Sequence, residues 1–313
     1  MLVVTGACGF IGSNLIKRLN TAGHSNIIAV DDFTDGSKVK NVASLNIDSY
    51  VDAHQFITSH KPRIIGTLFH QGACADTMEQ NGKYMMLNNY TYSTELFEMC
   101  KLHAARIIVA SSASVYGIGQ SFDENSPTLP VNVYAYSKLM MEKSLFKYDN
   151  SVSLRYFNVY GNNEEHKGKM ASIVHQKTSQ YLSDGHITLF HGTSGFGDGQ
   201  QMRDFVSVDD VVDVNLWFMQ NRLTGVYNVG TGTARSFNDV AALIINNCDG
   251  SQLSIDELVS IGKIRYVKMP DGLRNRYQSY TCASVEKLKS VGCMNKMMNI
   301  ENGISRYVTS VNE

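Results

Sequence analysis

Short apolar runs alternate with longer amphipathic stretches through the first half of the chain. The apolar runs lie at 2–6, 26–32, 64–71, 106–112 and 152–161, and helical patterns start near Gly12 and cover 83–103 and 132–147. Parallel strands need crossover connections, and the crossing helices cover both faces of the sheet. The alternation therefore predicts an α/β fold in which a parallel sheet lies between two layers of helices.

The pattern becomes less regular after residue 161. A glycine-rich segment at 192–200 precedes an apolar helical stretch at 207–218 and a strand-like run at 225–230. No internal repeat and no proline- or serine-rich linker is visible, and only 4 prolines occur among the 313 residues. We expect a smaller C-terminal region that is interleaved with the first.

The composition argues against several classes of partner. With 28 Lys and Arg against 29 Asp and Glu, the formal net charge is -1, which provides no long-range field for nucleic acid or for an anionic membrane surface. No window approaches a membrane span in length, and no export signal is visible. The cysteines show neither metal-ligand spacing nor a disulfide framework, so we expect free thiols in a reducing, cytoplasmic compartment and no metal site. They are Cys8, Cys74, Cys100, Cys248, Cys282 and Cys293.

Three glycines lie where the first predicted strand gives way to a helix. Gly6, Gly9 and Gly12 in "TGACGFIGS" are spaced G-x-x-G-x-x-G. Glycines there permit a tight turn, close approach of the backbone to a pyrophosphate and close helix–strand packing, while the helix N-terminus offers free N–H groups to the anion. Asp31 and Asp32 end the second predicted strand, near the expected spacing for a ribose-binding acid. The pattern predicts a Rossmann-like, doubly wound fold that binds a dinucleotide.

The residues at the end of the second predicted strand are compatible with either NAD or NADP as the cofactor. The adjacent carboxylates of Asp31 and Asp32 suit the ribose hydroxyls of NAD and repel the 2′-phosphate of NADP. Lys38 in "DGSK" would balance a phosphate if its loop folds back toward the adenosine end. The usual role of such a loop lysine is that of a solvated side chain.

The segment "NVYAYSKLMMEK" (132–143) contains a candidate catalytic pair. Tyr134 and Lys138 are four residues apart and share one helix face, whereas Tyr136 points elsewhere. An ammonium group beside a phenol lowers the pKa of the tyrosine, as a general base for an alcohol requires. Hydroxyl groups that could bind a substrate oxygen follow a predicted strand at Ser111, Ser112 and Ser114.

The glycine turn, "SSASVYG" (111–117) and the Tyr134–Lys138 pair together resemble the extended short-chain dehydrogenase/reductase superfamily. In that superfamily a tyrosine, a lysine and a serine or threonine move a proton while a nicotinamide moves a hydride. By its position relative to Tyr116, Ser112 matches the serine that binds the substrate hydroxyl. The resemblance implies a nicotinamide-dependent enzyme with a Rossmann domain and a smaller substrate-binding domain.

Further motifs are similar, in order and spacing over nearly the whole chain, to the ADP-heptose 6-epimerases of this superfamily, which act on a sugar of the lipopolysaccharide core. They are "VDDFTDGSK", "HQGACADT", "GKYMMLNNYTYSTEL", "RYFNVYGNNEEHKGKMAS", "RDFVSVDDVVDVNLWF" and "RNRYQSYT". The resemblance implies cofactor contacts from Gly6, Gly9, Phe10, Ile11, Gly12, Asp31, Asp32, Lys38, Gln71, Gly72, Ala73, Cys74, Ala75, Asn88, Lys138, Val159 and Lys167. It implies substrate contacts from Ser112, Asn158, Lys169, Gln176, Phe190, His191, Gly192, Thr193, Arg203 and Tyr277.

Lys167 in "EEHKGKM" gains its role from the resemblance alone. Epimerisation removes hydride from one face of a carbon and returns it to the other. The resemblance implies that Tyr134 and Lys167 are acid/base groups on opposite sides of the sugar, and that a 6-keto intermediate reorients between them. The implied catalytic residues are therefore Ser112, Tyr134, Lys138 and Lys167.

The resemblance also implies an organisation into domains and an assembly. The dinucleotide-binding domain would comprise 1–166 with about 209–233 and 280–298, and the substrate-binding domain most of 167–313, with a core at about 167–208 and 234–279. A homo-oligomer, a pentamer in related proteins, would result.

Some positions depart from the family pattern, which leaves the sugar and its nucleotide open. They are Asp32 in place of an amide, Ala53 in place of a lysine, Lys169 in place of a small hydroxyl residue, His191 in place of an acid, and Gln176 in a shifted register. A UDP- or dTDP-hexose 4-epimerase is an alternative, whereas a 4,6-dehydratase needs an acidic pair where Ala113 and Ser114 stand. A non-catalytic dinucleotide sensor would have no need of proton-transfer groups.

Overall fold

A seven-stranded parallel sheet forms the centre of the protein. The computed structural model describes residues 1–59, 64–119, 121–270, 277–293 and 297–312. The sheet strands are β1 (Leu2–Thr5), β2 (Ile27–Asp31), β3 (Ser49–Asp52), β4 (Thr67–His70), β5 (Arg106–Ser112), β6 (Ser151–Tyr156) and β10 (Gly225–Val229). Their spatial order is β10-β6-β5-β4-β1-β2-β3, and every neighbouring pair is parallel. The predicted doubly wound α/β fold is confirmed.

Burial explains why the strand signals were strong in the sequence. All residues of β2, β4 and β6 are buried, because helices cover both faces of a parallel sheet. The run at 152–161 is two strands, since the chain leaves the large sheet at Phe157 and β7 (Asn158–Tyr160) pairs elsewhere. The edge strand β3 is only half-buried, and its mixed sequence gave no apolar run to detect.

The helices form a layer on each face of the large sheet and a group around the small sheets. They are α1 (Phe10–Thr21), α2 (Val39–Val42), α3 (Ala53–Thr58), α4 (Gly82–Met86), α5 (Tyr92–Leu102), α6 (Val133–Leu145), α7 (Ile173–Asp184), α8 (Val208–Gln220), α9 (Phe237–Asp249), α10 (Ile255–Ser260), α11 (Glu286–Ser290) and α12 (Ile300–Asn312). Helices α1, α8 and α11 bury apolar side chains against one face, and α3, α5 and α6 against the other. None of the helices in the described ranges is both long and apolar enough for a membrane span.

The helical pattern predicted over 83–103 is interrupted. Between α4 and α5 the chain makes a π-helical turn, Leu87–Thr91. Within it, the buried Asn89 side chain accepts a hydrogen bond from the Cys74 N–H (2.8 Å) and donates one to the Cys74 carbonyl (2.9 Å). Such turns are frequent at functional sites, and this one fixes the loop that follows β4.

Two smaller sheets lie in the C-terminal half. One has the order β11-β9-β7, with β9 at Met202–Ser207 and β11 at Ala234–Ser236; the other pairs β8 (Ile187–Phe190) with β12 (Ile264–Val267). Their apolar side chains share a core with α7, α9, α10 and α12. Because β10 returns to the large sheet between β9 and β11, the two regions are interleaved along the chain.

A glycine in the last helix makes room for a buried tyrosine. A Cβ atom at Gly303 in α12 would lie 1.7 Å from the hydroxyl oxygen and 2.8 Å from Cζ of Tyr160. Tyr160 is 1% exposed, so its ring has no free space into which to move. This contact joins α12 to the strand β7 that leads into the loop of Lys167.

We expect Gly303→Ala to destabilise the protein by about 1–3 kcal/mol through overpacking, although alanine favours a helix by about 1 kcal/mol over glycine. Thermal unfolding measures the change. Tyr160→Phe added to Gly303→Ala should recover part of the loss, because only the hydroxyl is removed. Ser305→Ala, at an exposed position of α12, is the control and should be nearly neutral. A Gly303→Ala melting temperature equal to or above that of the control would contradict the contact.

Candidate active site

The cleft opens where the strand order reverses, between the carboxyl ends of β1 and β4. The turns after these strands touch, since a Cβ atom on Gly6 would lie 2.7 Å from the Cα of Gly72. Gly6 also has a φ of +64°, which favours glycine. Ligands of open α/β sheets bind at this switch point.

The first turn of α1 offers its backbone N–H groups to the cleft. Gly9 is the N-cap residue, and it has no side chain to occupy those donors. A Cβ atom on Gly12 would lie 2.0 Å from the Gly6 carbonyl oxygen, so the helix starts this close to the turn only with glycine there. The arrangement suits a pyrophosphate at a helix N-terminus.

Most residues predicted to bind a cofactor line one cleft of about 430 Å³. They are Gly6, Gly9, Phe10, Ile11, Gly12, Asp31, Asp32, Lys38, Gln71, Gly72, Ala73, Cys74, Ala75, Asn88 and Lys167. Lys138 is buried behind the cleft, and Val159 packs against the large core. Thr5, Val30, Tyr84, Tyr92 and His166, which the sequence did not reveal as site residues, also line the cleft.

An unpaired hydroxyl group supports the fit of a polar ligand. The hydroxyl oxygen of Tyr92 is buried and has no hydrogen-bond partner among the described residues, although Tyr92 lines the cleft. A buried polar atom without a partner costs about 1–3 kcal/mol, and a ligand that supplies one removes this cost. With the glycine turn and the helix N-terminus, this group makes the cleft fit a dinucleotide.

Asp31 is already engaged at the adenosine end of the cleft. Its Oδ2 accepts the Cys8 N–H at 2.7 Å, and its Oδ1 accepts from Lys38 Nζ at 3.1 Å. Lys38 Nζ also donates to the Asp32 carbonyl at 2.9 Å. The side chain of Asp32 is exposed and accepts from the backbone and hydroxyl of Thr34. The loop therefore folds back and brings the Lys38 ammonium beside the acids.

The predicted catalytic pair is brought to the end of β5. Asn132 caps α6 by accepting the Ala135 N–H at 2.8 Å, which places Tyr134 in the first turn and beside Ser112. Lys138 is 3% exposed, and its ammonium donates to the Ala110 carbonyl at 2.8 Å. Tyr136 is 48% exposed, as the helical spacing required.

The prediction that the pKa of Tyr134 is lowered is wrong. Burial raises the pKa of Tyr134, and a hydrogen bond with Ser112 offsets only part of the rise. Burial also lowers the pKa of Lys138 to about 8. The phenol therefore keeps its proton at neutral pH, because burial penalises its charged form more than its partner stabilises it.

A buried carboxylate holds the loop that carries Lys167. Glu164, 1% exposed, accepts from the Gly161 N–H (3.2 Å), the Ser172 N–H (2.5 Å) and the Ser172 hydroxyl (2.6 Å). Lys167 Nζ lies 5.1 Å from the ring centroid of Phe10, at the start of α1. Burial lowers the pKa of Lys167, and the charge of Glu164 opposes this. The loop thus places an amine with a lowered pKa beside the glycine turn.

An aromatic and cationic cluster forms part of the predicted substrate site. The Arg203 guanidinium lies 5.0 Å from the ring centroid of Tyr277 and 5.6 Å from that of Phe237. Phe190 meets Tyr277 edge to face, with centroids 6.4 Å apart. Asp204, next to Arg203, is fully buried and binds Thr231, so it is not a surface partner of the arginine. The cluster can stack a base and bind a phosphate.

The remaining predicted substrate residues differ in exposure and in hydrogen bonding. His191 Nδ1 bonds Asp198 at 2.9 Å, and the Gly192 N–H donates to the same carboxylate at 2.7 Å, which closes the glycine-rich loop on itself. Gln176, in α7, donates to carbonyls of the preceding segment, at Lys169 and Ala171. Asn158, Lys169 and Gly192 are exposed and Thr193 is half-buried. Of the motif "RNRYQSYT", residues 274–276 lie outside the described residues.

These arrangements suit proton and hydride transfer on a hydroxyl group. The cleft fits a dinucleotide, Ser112 at the end of β5 and Tyr134 in α6 form a hydroxyl-binding acid/base pair, and Lys167 offers an amine from a separate loop. Glu164 and Asn89, which support the site, were missed because their partners lie in a loop or a turn that no periodic pattern marks.

Comparisons with known proteins show the family of the chain. The chain belongs to the NAD dependent epimerase/dehydratase family, whose model matches residues 2–230. It is 43% identical, over 98% of its length and 97% of the relative's, to the ADP-L-glycero-D-manno-heptose-6-epimerase of Thiobacillus denitrificans.

Solved structures with the same fold include two epimerases. The ADP-L-glycero-D-manno-heptose-6-epimerase of Helicobacter pylori superposes with a TM-score of 0.81 at 29% identity, covering 99% of this chain and 96% of that one. The UDP-glucose 4-epimerase of Thermus thermophilus, solved with NAD, superposes with a TM-score of 0.80 at 25% identity, covering 99% and 98%. Both cover the large sheet and the C-terminal region together.

We expect Gly12→Ala to reduce the amount of retained dinucleotide at least tenfold, because the added Cβ atom pushes α1 away from the turn. Release by denaturation and enzymatic quantification of the nucleotide measure retention. Gly82→Ala is the matched control, since its Cβ atom would meet only Val133 Cγ1 at 3.8 Å. Circular dichroism checks that both variants are folded. A folded Gly12→Ala protein with undiminished retention would contradict the role of the turn.

Proposed function

We propose that the protein interconverts ADP-D-glycero-D-manno-heptose and ADP-L-glycero-D-manno-heptose. The observation that carries the proposal is that two proton-transfer groups come from different elements: Lys167 lines the cleft, and Tyr134, beside Ser112, interacts electrostatically with Cys74 of the cleft wall. The 43% identity to a 6-epimerase over nearly the whole chain supports the choice of sugar. The stacking cluster of Arg203, Tyr277 and Phe190 supports a nucleotide-activated substrate.

Two proton-transfer groups whose pKa values burial shifts in opposite directions suit a reaction that removes a proton and later returns one. Lys167, whose pKa is lowered by burial, is the better base, and Tyr134 keeps its proton. One group takes the hydroxyl proton as hydride leaves C6″, and the 6-keto sugar then turns within the pocket. The other group protonates the oxygen as hydride returns to the opposite face. A bound nicotinamide supplies the hydride acceptor and donor.

The other catalytic residues orient the substrate. Ser112 is held by Ser114, whose N–H (3.1 Å) and hydroxyl (2.9 Å) donate to its oxygen, so its own proton is free for Tyr134 or for the sugar oxygen. The Lys138 ammonium is anchored on the Ala110 carbonyl, and Lys138 follows Tyr134 by one turn on the same face of α6. We assign proton transfer to Tyr134 and Lys167, and positioning and charge to Ser112 and Lys138.

We propose NADP as the cofactor, with NAD as the alternative. Lys38 Nζ lies 3.1 Å from Asp31 Oδ1, so a positive charge stands beside the acid that would otherwise repel a 2′-phosphate. The Lys38 ammonium would pair with a 2′-phosphate. Ala53 lines the same cleft and, in place of a lysine, adds no second positive charge, which is why NAD stays the alternative.

We propose a cytoplasmic location, which the six free cysteines support. We propose that 1–166, with about 209–233 and 280–298, binds the dinucleotide and that most of 167–313 binds the sugar; residues 294–296 lie outside the described ranges. A homo-oligomer, a pentamer by family resemblance, is tested by light scattering after size exclusion, where a monomer would contradict it.

Incubation of the purified protein with ADP-D-glycero-D-manno-heptose should give the L-glycero epimer, followed by NMR. Tyr134→Phe and Lys167→Met should each reduce kcat by at least about 100-fold, the scale of lost acid/base catalysis. Because burial lowers the pKa of Lys167, the wild-type rate should rise toward alkaline pH with a midpoint below that of a free lysine.

Tyr136→Phe, at the exposed tyrosine of α6, is the matched control and should retain the wild-type rate. No interconversion by wild-type protein with bound cofactor would rule out the substrate. Loss of activity in Tyr134→Phe but not in Lys167→Met would rule out the second base.

Lys38→Ala should weaken NADP binding at least tenfold and change NAD binding by no more than about threefold, because one charge–phosphate contact contributes roughly 1–3 kcal/mol. Cofactor titration of the stripped enzyme measures both dissociation constants. Lys40→Ala, an exposed lysine of α2, is the control. Equal losses for the two cofactors would contradict the role of Lys38.

A further inference from the structure

His70, which the proposed reaction does not use, lies at the centre of a buried polar chain behind the cleft. It is the last residue of β4, is 1% exposed, and stands opposite Thr5 in the register with β1. Its ring meets Phe97 edge to face at 6.0 Å. Burying a polar ring in such a core destabilises the protein unless both ring nitrogen atoms are hydrogen-bonded.

Both nitrogen atoms are paired. The Gly72 N–H donates to Thr5 Oγ1 (3.2 Å), and Thr5 Oγ1 lies 2.6 Å from His70 Nδ1. On the other side, His70 Nε2 lies 2.7 Å from Ser93 Oγ, and Ser93 Oγ donates to the Asn89 carbonyl at 2.6 Å. The chain therefore connects the loop after β4 to the π-helical turn.

The directions of these bonds fix the tautomer of His70. Ser93 donates its single hydroxyl proton to the Asn89 carbonyl, so its oxygen can only accept a hydrogen bond from His70. Nε2 of His70 therefore carries the ring proton. Nδ1 is then bare and accepts from Thr5, whose oxygen accepts from Gly72. The same ring is kept neutral, because burial, with a smaller contribution from Lys138, lowers its pKa to about 3.

The chain extends to the catalytic helix. The Asn89 amide, besides holding the Cys74 backbone, donates to Ser137 Oγ at 3.0 Å. Ser137 Oγ donates to the Tyr134 carbonyl at 2.7 Å. One end of the chain thus reaches the glycine turn, against which Gly72 is pressed, and the other end reaches the backbone of the proton-transfer residue.

We propose that His70 is a positioning residue: as the neutral Nε2–H tautomer it fixes the spacing between the dinucleotide-binding turn and the helix of Tyr134. A reaction that passes hydride between a cofactor and a sugar depends on this spacing, and a misplacement of about 1 Å costs about 100-fold in rate. The kinetic part of the proposal rests on the proposed epimerase function; the tautomer does not.

Three substitutions separate the two bonds of the ring. His70→Asn keeps an acceptor near the position of Nδ1, and His70→Gln keeps a donor near the position of Nε2. His70→Phe keeps the ring volume and loses both bonds. We expect kcat to fall about 10- to 100-fold in His70→Phe and less in the Asn and Gln variants, while KM for the sugar nucleotide changes by less than about threefold.

Phe97→Leu is the matched control for loss of packing at the same place. It disturbs the neighbour of the His70 ring without touching a member of the polar chain, so it should lower the melting temperature and leave kcat per folded enzyme within about twofold. Equal losses of kcat in His70→Phe and Phe97→Leu, or an unchanged kcat in folded His70→Phe, would overturn the proposal.

The tautomer is tested without any substrate. In protein labelled with 15N at its 9 histidines, long-range 15N–1H correlation at pH 7 should show His70 with a protonated Nε2 and a pyridine-type Nδ1, and the signal is assigned by its loss in His70→Asn. A protonated Nδ1 or a cationic ring would overturn the proposal. If wild-type enzyme fails to convert ADP-heptose, the proposed function fails and this measurement still decides the state of His70.

Discussion

The contact between the turns that follow β1 and β4 is the constraint on which the rest of the site depends. Gly6 and Gly72 approach so closely that neither turn has room for a Cβ atom. This contact places the N-terminus of α1 at the switch point of the sheet, next to the loop 71–75. Every group assigned to the cofactor or to proton transfer is positioned relative to these two turns.

The supports of the site come from three parts of the fold. The buried chain through His70 joins the β4 loop to α6, Glu164 pins the loop of Lys167 behind the cleft, and Asp204 holds the loop after β10. Buried polar groups with complete hydrogen bonding make a site rigid, because each broken bond leaves an unpaired group in a low-dielectric interior. Charged side chains in the cleft are thereby held partly desolvated, which changes their proton affinities.

The sequence predicted what local patterns encode. The apolar runs identified six strands of the large sheet, the glycine triplet located the cofactor turn, and the four-residue spacing separated Tyr134 and Lys138 from Tyr136. The amino-acid sequence did not reveal the residues that support the site. Asn89, Glu164 and His70 form hydrogen bonds with partners that no regular residue spacing links to them. The direction of the Tyr134 pKa shift was also beyond the sequence, since it depends on burial, and the split of 152–161 depends on which sheet receives β7.

The fate of hydrogen at C6″ tests the central claim most directly. If the cofactor in this cleft accepts and returns hydride while Tyr134 and Lys167 handle only the hydroxyl proton, hydrogen at the carbon never exchanges with water. Epimerisation of ADP-D-glycero-D-manno-heptose in D₂O, followed by NMR and mass spectrometry, should therefore give a product without solvent deuterium at C6″. Deuterium at that carbon in the product would mean that a base removes the carbon-bound proton, and would contradict the account.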